Sequence, residues 1–208
     1  MDDRELEFLK RFVVESDAIE GLANDPAVLR MQFADERCPG HAGAIRIVRA
    51  WADSAFPVDE PLIKLVQERI TEQQHFQSER ELPKELRGRY RPFNLNFGVD
   101  HALVPAAMRG LVREMATWQA TQRDQLPVEK ITRIAQFHWR YERIHPFADG
   151  NGRSGRVLAY YLYRYAGLPP FVFTHLDRHR TYYPCFESAS SGLMERYFLG
   201  RTKLAATP

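Results

Sequence analysis

Apolar residues recur every three or four positions along most of this chain, and this spacing restricts it to a mainly helical fold. The pattern is clearest in a run whose side chains would share one helix face: Met108, Leu111, Val112, Met115 and Trp118. It predicts a first helix that stops by Pro26, another after Pro105, and helices over 42–54, 60–75, 128–143, 153–166 and 180–199. We therefore expect an all-α bundle.

The stretch from 82 to 100 breaks the helical pattern. Proline and glycine recur in it, at Pro83, Gly88, Pro92 and Gly98, and each disfavours the interior of a helix. Between the last two, apolar and polar residues alternate, in the order Phe93, Asn94, Leu95, Asn96 and Phe97. Alternation with a period of two predicts a short strand or β-hairpin inside the otherwise helical chain.

Charge balance and cysteine content exclude several classes of protein. The 208 residues carry 29 Lys and Arg against 27 Asp and Glu, which is too balanced for nucleic acid or an anionic membrane to be the main partner. No apolar run is long enough for a membrane span, and the acidic N-terminus lacks the apolar segment of a secretion signal. Cys38 and Cys185 form no disulfide framework. We expect a cytoplasmic protein.

The most informative segment is a loop and helix start that end at Arg156. Gly150, Asn151 and Gly152 allow the backbone to turn sharply and to approach a ligand closely. The helix that follows begins with amide groups that lack a partner within the helix, and its dipole favours an anion there. Arg153 and Arg156 lie three residues apart on one side of the first turn, where two guanidinium groups suit a polyphosphate.

Two further side chains of this segment can serve nucleotide chemistry. Asp149 stands beside the glycine-rich turn, and a single carboxylate next to phosphates is the usual protein ligand of Mg²⁺. His145 lies at the other end of the loop, and an imidazole is the natural proton acceptor at neutral pH. The segment predicts attack of a hydroxyl on a nucleotide phosphate, in which the protein mainly positions the reactants and neutralises charge.

Residues 145–156 resemble the motif of the Fic family, H-x-F-x-[D/E]-G-N-G-R-x-x-R, at every specified position. The likeness extends over about residues 80–200. It implies a Fic-type helical bundle with a β-hairpin flap at 88–98 over a catalytic loop at 145–156. The chain would then consist of N-terminal helices at 1–80, a Fic core at 81–200 and a tail at 201–208.

Fic proteins typically transfer AMP from Mg·ATP to a protein hydroxyl, so the resemblance implies a protein adenylyltransferase with Mg²⁺ as cofactor and ATP as substrate. By this resemblance His145 would deprotonate a Ser, Thr or Tyr hydroxyl, Asp149 would hold Mg²⁺, and Phe147 would anchor the loop in the core. The phosphates would bind to Gly150, Asn151, Gly152, Arg153 and Arg156.

The resemblance also concerns the target protein and the nucleotide base. The segment Phe93, Asn94, Leu95, Asn96 and Phe97 would pair through its backbone with the target. Tyr182 and Tyr183 would either form the adenine pocket or pack in the core. Many relatives carry Asn-x-Gly-Asp after the tyrosine pair, whereas this chain has Ser190, Ser191, Gly192 and Leu193. This departure leaves room for a nucleotide other than ATP.

A segment near the N-terminus resembles the inhibitory motif [S/T]-x-x-x-E-[G/N] of some Fic proteins. Ser16 and Glu20 lie four residues apart, so they would face the same way on a helix, and Gly21 follows. In those relatives the glutamate pairs with the second arginine of the motif, here Arg156. The resemblance implies that Glu20 inhibits the free protein; in some relatives the same residue aligns a water that removes AMP.

Several functions remain open at this point. The site could remove AMP from a modified target or transfer another nucleotide or phosphate-linked group. It could also be a non-catalytic module that binds a nucleotide or a phosphopeptide, although binding alone does not need His145. The expected partner is a target protein or the chain itself, with no nucleic acid and no membrane. Relatives often dimerise, which implies a homodimer.

Overall fold

The computed structural model describes residues 2–35, 40–72 and 81–205. Within these ranges the chain forms α-helices and no strand, so the expected all-α fold is confirmed. The helices are α1 (Asp3–Ile19), α2 (Pro26–Ala34), α3 (Gly40–Asp53), α4 (Glu60–Glu72), α5 (Val104–Thr121), α6 (Pro127–Ile144), α7 (Asn151–Tyr165), α8 (Pro184–Glu187) and α9 (Gly192–Ala205). None of these helices is long and apolar enough to cross a membrane.

Helix α7 is the centre of the bundle. Helices α3, α4 and α6 pack against it, and α9 packs against α6. Nearly every residue of α7 from Asn151 to Tyr163 is buried, including polar ones. A helix that is surrounded by other helices has little freedom to move. The N-terminus of α7, where the glycine-rich loop enters, is therefore a fixed platform for a ligand.

Helices α1 and α2 begin at aspartate caps. Asp2 accepts a hydrogen bond from the Glu5 N–H at 2.8 Å, and Asp25 accepts one from the Ala27 N–H at 2.7 Å. Each bond satisfies an amide that the helix itself leaves free. Sequence periodicity does not predict α2, although an aspartate directly before Pro26 is a typical helix start.

Helix α1 ends earlier than its apolar pattern suggests. It stops at Ile19 because Gly21 adopts a left-handed backbone, with φ of 75°, which a helix cannot contain. The Tyr183 hydroxyl donates a hydrogen bond to the Ile19 carbonyl at 2.9 Å. Glu20 therefore lies at a turn that is held from the opposite end of the chain.

The prediction of one helix over 180–199 is wrong. The structure has a π-helical turn at Arg178–Tyr182, then α8, a short non-helical link and α9. Pro184 has no N–H to donate and starts α8, and Ser188 leaves the helix with ψ of 141°. The helix predicted over 60–75 corresponds to α4 as far as Glu72, and residues 73–75 lie outside the described residues.

The predicted strand or hairpin at 88–98 is also wrong, because this segment forms bends without strand pairing. Arg91 explains the difference. Its buried guanidinium donates to the carbonyl oxygens of Phe93, at 2.8 Å, and of Val99, while its N–H bonds to the Pro146 carbonyl at 2.9 Å. These bonds fold the segment on itself against the glycine-rich loop, so its carbonyls do not join a strand ladder.

Candidate active site

Residues 145–150 form a tight loop between α6 and α7. His145 ends α6 in the left-handed conformation with φ of 52°, and Gly150 precedes α7 with φ of 79°. The Asn151 side chain bonds twice to Phe147, accepting from its N–H and donating to its carbonyl, both at 2.8 Å. Phe147 is fully buried, and its ring lies against Tyr90. The loop is fixed from within, and this use of the Asn151 amide is structural.

The imidazole of His145 is held in one tautomer. Its Nδ1 lies 3.3 Å from the Glu142 carbonyl oxygen, which can only accept, so Nδ1 carries the proton and Nε2 keeps its lone pair. The ring of Phe97 stands perpendicular to the imidazole, with 5.2 Å between centroids. Burial lowers the pKa of His145 below its ordinary value, against the opposing effect of the Glu142 carbonyl. A neutral imidazole with an unprotonated Nε2 can accept a proton.

Arg91 supports the backbone at this histidine. Its Nε donates to the His145 carbonyl at 2.8 Å, and Arg91 is only 2% exposed. Sequence reasoning treated Arg91 merely as part of the expected flap. The His145 carbonyl lies far along the chain, whereas the Phe93 and Val99 carbonyls are near, and no local pattern of residue types signals the distant contact.

Arg156 is buried at the start of α7 and is bound by the end of α1. Its Nε donates to the Ser16 hydroxyl at 2.9 Å, and its Nη2 donates to the Ser16 carbonyl at 2.8 Å and to Glu20 Oε1 at 2.7 Å. Burial works against the charge, yet Glu20 holds the pKa of Arg156 above its ordinary value. The structure thus brings the second motif arginine and the N-terminal glutamate into direct contact.

Glu20 also lies against the backbone of the glycine-rich turn. A Cβ added at Gly152 would overlap Glu20 Oε1, so only glycine leaves room for this carboxylate. Helical hydrogen bonding in α7 begins with the Ser154 N–H and the Gly150 carbonyl, so the amides of residues 151–153 lie outside it. The carboxylate therefore lies beside the start of α7, whose free amides favour an anion.

A cavity of about 430 Å³ opens at this point. The residues that form its walls lie at the end of α1, at the end of α6, at the start of α7, at Phe97 and in the segment 182–187. Seven residues of the predicted site line the cavity: Phe97, His145, Gly152, Arg156, Tyr182, Tyr183 and Glu20. The structure thus gathers the predicted base, the anion-binding turn and one arginine around a single space.

Arg153 and Asp149 do not line this cavity. Arg153 is 2% exposed, and its Nη2 lies 3.7 Å from Asp149 Oδ1. Among the described residues, Nε and Nη1 of Arg153 have no hydrogen-bond partner. The charge of Arg153 also contributes to lowering the pKa of Asp17 on α1. Arg153 is turned inward in this structure, toward two carboxylates.

The two tyrosines differ in burial. Tyr182 is 1% exposed, and its hydroxyl lies 2.8 Å from His138 Nε2 in the aromatic core. Its ring also lies 6.0 Å from the Arg156 guanidinium. Tyr183 is half-buried and bonds to α1 through its hydroxyl. Both contribute to the cavity wall, so packing and ligand contact are compatible at these positions.

The end of α1 is anchored to α3 by a buried pair that sequence reasoning did not find. Asp17 Oδ1 lies 2.9 Å from His41 Nδ1, and both side chains are almost fully buried. Asn24 donates to the other Asp17 oxygen at 3.0 Å. Although burial favours the neutral acid, His41 holds the pKa of Asp17 below its ordinary value. This pair fixes the helix that carries Ser16 and Glu20.

The residues of the expected flap form an exposed rim beside the cavity. Phe93 and Phe97 are 42% and 45% exposed, and Leu95 is half-buried. Asn94 accepts a hydrogen bond from the His101 N–H at 2.8 Å, whereas Asn96 is exposed. The rim thus presents aromatic side chains near His145 without a strand.

The geometry defines a class of site: an anion-binding helix N-terminus with a neutral histidine beside it and an arginine held by a nearby glutamate. Residues 58–163, about half of the chain, match the sequence profile of the Fic/DOC family. The chain therefore belongs to the Fic/DOC family.

Relatives with curated names match only part of their length. A protein named "Protein adenylyltransferase Fic" from Nematostella vectensis is 36% identical over 107 residues, which are 50% of this chain and 24% of that protein. One named "Protein adenylyltransferase fic-1" from Caenorhabditis elegans is 27% identical over 105 residues, covering 50% of this chain and 20% of that protein. The chain thus matches about a quarter or less of these relatives.

Solved structures share the fold at low sequence identity. A Fic domain containing signaling protein from Bacteroides thetaiotaomicron has a TM-score of 0.75 at 21% identity, covering 97% of this chain and 85% of that chain. Fic-1 from Caenorhabditis elegans has a TM-score of 0.69 at 21% identity, covering 98% and 62%. These likenesses establish the fold.

Proposed function

We propose that this chain is a protein adenylyltransferase that transfers AMP from ATP to a hydroxyl group of a target protein. The observation that carries the proposal is that His145, Gly152 and Arg156 line one cavity at the N-terminus of α7. Family membership and relatives named as protein adenylyltransferases support the same reaction. We infer the role of each site residue from its position and its contacts.

His145 is the proposed general base. Its Nε2 accepts the proton of a Ser, Thr or Tyr hydroxyl while that oxygen attacks the α-phosphorus of ATP. The bond from the α-phosphorus to the bridging oxygen breaks, and pyrophosphate leaves. The hydrogen bond from Nδ1 to the Glu142 carbonyl supports this role, because it keeps the ring proton on Nδ1 and leaves Nε2 free to accept another proton.

The N-terminal amides of α7 and Arg156 are the proposed phosphate site. Backbone N–H groups at a helix N-terminus and a buried guanidinium both favour the charge of a polyphosphate. We assign Gly150, Asn151 and Gly152 to the turn that cradles the phosphates, and Arg153 to the same end of the nucleotide. Because Arg153 is turned toward Asp149 and Asp17, it must rotate to reach a phosphate.

Asp149 is the proposed Mg²⁺ ligand. Its side chain is 44% exposed at the mouth of the loop, which suits a metal that keeps several waters and shares phosphate oxygens. No group of three or more His, Cys, Asp or Glu side chains is arranged for a metal in the described parts of the chain. A single carboxylate is therefore the fitting donor set for Mg²⁺ that arrives with ATP, where it would neutralise phosphate charge.

Glu20 is the proposed inhibitor of the free protein. It binds the guanidinium that would hold the terminal phosphate, and it lies on the turn at Gly152. A carboxylate already bound to Arg156 repels an incoming phosphate, and it occupies the guanidinium donor that the phosphate would need. Ser16 holds Arg156 in place with two further bonds, so Arg156 is ready to bind phosphate once Glu20 moves away.

The rim at 93–97 is the proposed docking surface for the target. Phe93 and Phe97 are exposed large hydrophobic residues, as expected for a surface that receives another chain, and the Phe97 ring lies against His145. An extended target segment would bring its hydroxyl to His145 from this side. The rim lacks a strand in the free protein, so pairing with a target would order it.

Transfer of labelled phosphate tests the reaction. Glu20→Gly is incubated with Mg²⁺, a cell lysate and ATP labelled in either the α- or the γ-phosphate. We count only labelling above that of the lysate without added enzyme, because kinases in the lysate transfer the γ-phosphate themselves. We expect such labelling from the α-position alone, none after the additional change His145→Ala, and normal labelling with the matched change His175→Gln at a histidine outside the cavity. Labelling above this background from the γ-position, or labelling that survives His145→Ala, would overturn the proposal.

A further inference from the structure

A second carboxyl group lies in the same cavity, on α6 one turn before His145. Glu142 is 5% exposed, and its side chain lines the space shared with Arg156. Its Oε1 has no hydrogen-bond partner among the described residues. A buried polar atom without a partner costs about 1–3 kcal/mol. A buried carboxyl group that lines a cavity and leaves an oxygen without a hydrogen-bond partner points to a partner on the ligand.

Glu142 rests on a glycine in the same way as Glu20 does. A Cβ at Gly155 would overlap Glu142 Oε1, just as a Cβ at Gly152 would overlap Glu20 Oε1. The two glycines are three residues apart on one side of α7, so the two carboxyl groups rest on neighbouring stretches of bare backbone. Arg156 lies beside both carboxyl groups, and its charge affects the pKa of Glu142. The structure therefore has two neighbouring carboxyl positions at one arginine.

The two carboxyl groups differ in protonation. Burial raises the pKa of Glu142 to about 8; Arg156 opposes this rise and Glu20 adds to it. At neutral pH Glu142 is therefore mostly a neutral acid, which can donate a hydrogen bond as well as accept one. Glu20, in contrast, forms an ion pair with Arg156. A neutral acid leaves the charge of Arg156 available to an anion.

We propose that Glu142 is a substrate-binding residue that donates a hydrogen bond to the terminal phosphate of a nucleoside triphosphate held by Arg156. This inference rests on the proposed nucleotide site. A protonated carboxyl beside Arg156 adds a donor without adding charge, whereas a carboxylate would repel the polyphosphate. AMP lacks the phosphates that reach Arg156, so Glu142 contributes to binding of ATP but not of AMP.

Several groups that face Glu142 have pKa values shifted away from the range just above neutral pH. The pKa of His145 is lowered, and the pKa values of Arg156, Tyr141, Tyr182 and Tyr183 are raised. The carboxylates that face the same cavity are Glu20 and Glu187. Loss of ATP affinity as the pH rises from about 6.5 to about 9 would therefore report on Glu142.

Calorimetric titration of ATP and AMP, with Mg²⁺ present, tests this role. The full chain carrying Glu20→Gly is compared with the same chain carrying Glu142→Gln in addition. We expect the Kd for ATP in Glu20→Gly to rise about tenfold between about pH 6.5 and about pH 9, as Glu142 ionises. The midpoint should lie below that of the wild-type chain, because Glu20 no longer raises the pKa of Glu142. The Kd for AMP should stay constant, and Glu142→Gln, whose amide still donates, should bind ATP equally over this range.

Two controls separate this role from a structural one. Glu187→Gln removes another carboxylate of the cavity and should keep the pH dependence of the Glu20→Gly parent. Glu142→Asp withdraws the carboxyl from Gly155 and should weaken ATP binding at all pH values without affecting AMP. Circular dichroism checks that each variant is folded.

Three results would contradict the inference. An unchanged Kd for ATP in Glu20→Gly over this pH range would show that ionisation of Glu142 does not affect ATP binding. The same rise of the Kd in the variant that also carries Glu142→Gln would assign the pH dependence to another group. A parallel loss of AMP affinity would place Glu142 at the nucleoside. If Glu20→Gly bound neither nucleotide at any pH, the proposed function itself would fail.

Discussion

The contact between Glu20 and Arg156 allows the strength of the proposed inhibition to be calculated. Glu20→Gly removes one charge-assisted hydrogen bond of 2.7 Å but leaves both bonds from Arg156 to Ser16. The arginine should therefore stay in place while the anion position at Gly152 becomes free. A glycine is tolerated at position 20 because this residue caps the end of α1 rather than lying inside it.

The magnitude follows from the exposure of the pair. Hydrogen bonds to charged groups are worth about 1.5–3 kcal/mol, and the Glu20 side chain is 35% exposed, so we take the lower limit. Glu20 competes with ATP for Arg156. Loss of about 1.5 kcal/mol from this competing contact should increase the apparent affinity for ATP roughly tenfold. The same loss should lower the melting temperature by about 4 °C in a chain of this size.

The assay compares Glu20→Gly with Glu7→Gly. Glu7 lies on the solvent face of α1 with its side chain 71% exposed, so its replacement weakens the helix without touching the cavity. Initial rates of label transfer from α-labelled ATP and thermal melting are measured for both. We expect faster transfer and lower stability in Glu20→Gly, but only lower stability in Glu7→Gly. Equal rates in Glu20→Gly and wild type would refute the inhibitory role.

Three further predictions follow from the geometry of the loop. Because the pKa of His145 is lowered, the rate of transfer at saturating ATP should be flat near neutral pH and fall only in more acidic solution; a loss of rate on acidification with a midpoint above neutral pH would contradict a neutral imidazole base. Arg91→Ala should cut the rate at least tenfold and lower the free energy of unfolding by about 2 kcal/mol, since buried carbonyls lose their donor, whereas Arg89→Ala at an exposed site should do neither. Asn151→Ala should disorder the loop and abolish activity, with loss of amide protection at Phe147 in hydrogen exchange; retained protection would show that the two bonds are dispensable.

Apolar periodicity was sufficient to predict the central helices. The predicted helix over 128–143 corresponds to Pro127–Ile144, and that over 153–166 to Asn151–Tyr165. Both have strong apolar faces and clear stops, so local sequence and tertiary packing agree. The prediction of one helix over 180–199 is wrong because Pro184 starts a separate helix, α8, and a serine-rich link divides α8 from α9.

The contacts that position the site could be predicted only in part. The family motif identifies the loop, and the spacing of Ser16 and Glu20 identifies the segment that meets Arg156. Arg91 and Glu142 could not be found in this way, because their roles depend on burial and on backbone groups distant in sequence. Alternation of apolar and polar residues at 93–97 suggested a strand, yet no neighbouring strand exists among the described residues to pair with it.

The central claim is that an imidazole next to an anion-binding turn directs a hydroxyl to the α-phosphorus of ATP. Peptide mass spectrometry of proteins modified by Glu20→Gly in the presence of ATP and Mg²⁺ tests it most directly. The account predicts adducts with the mass of one AMP on Ser, Thr or Tyr, and none when His145→Ala is added. Adducts with the mass of a single phosphate, or AMP adducts that persist without the imidazole, would contradict it.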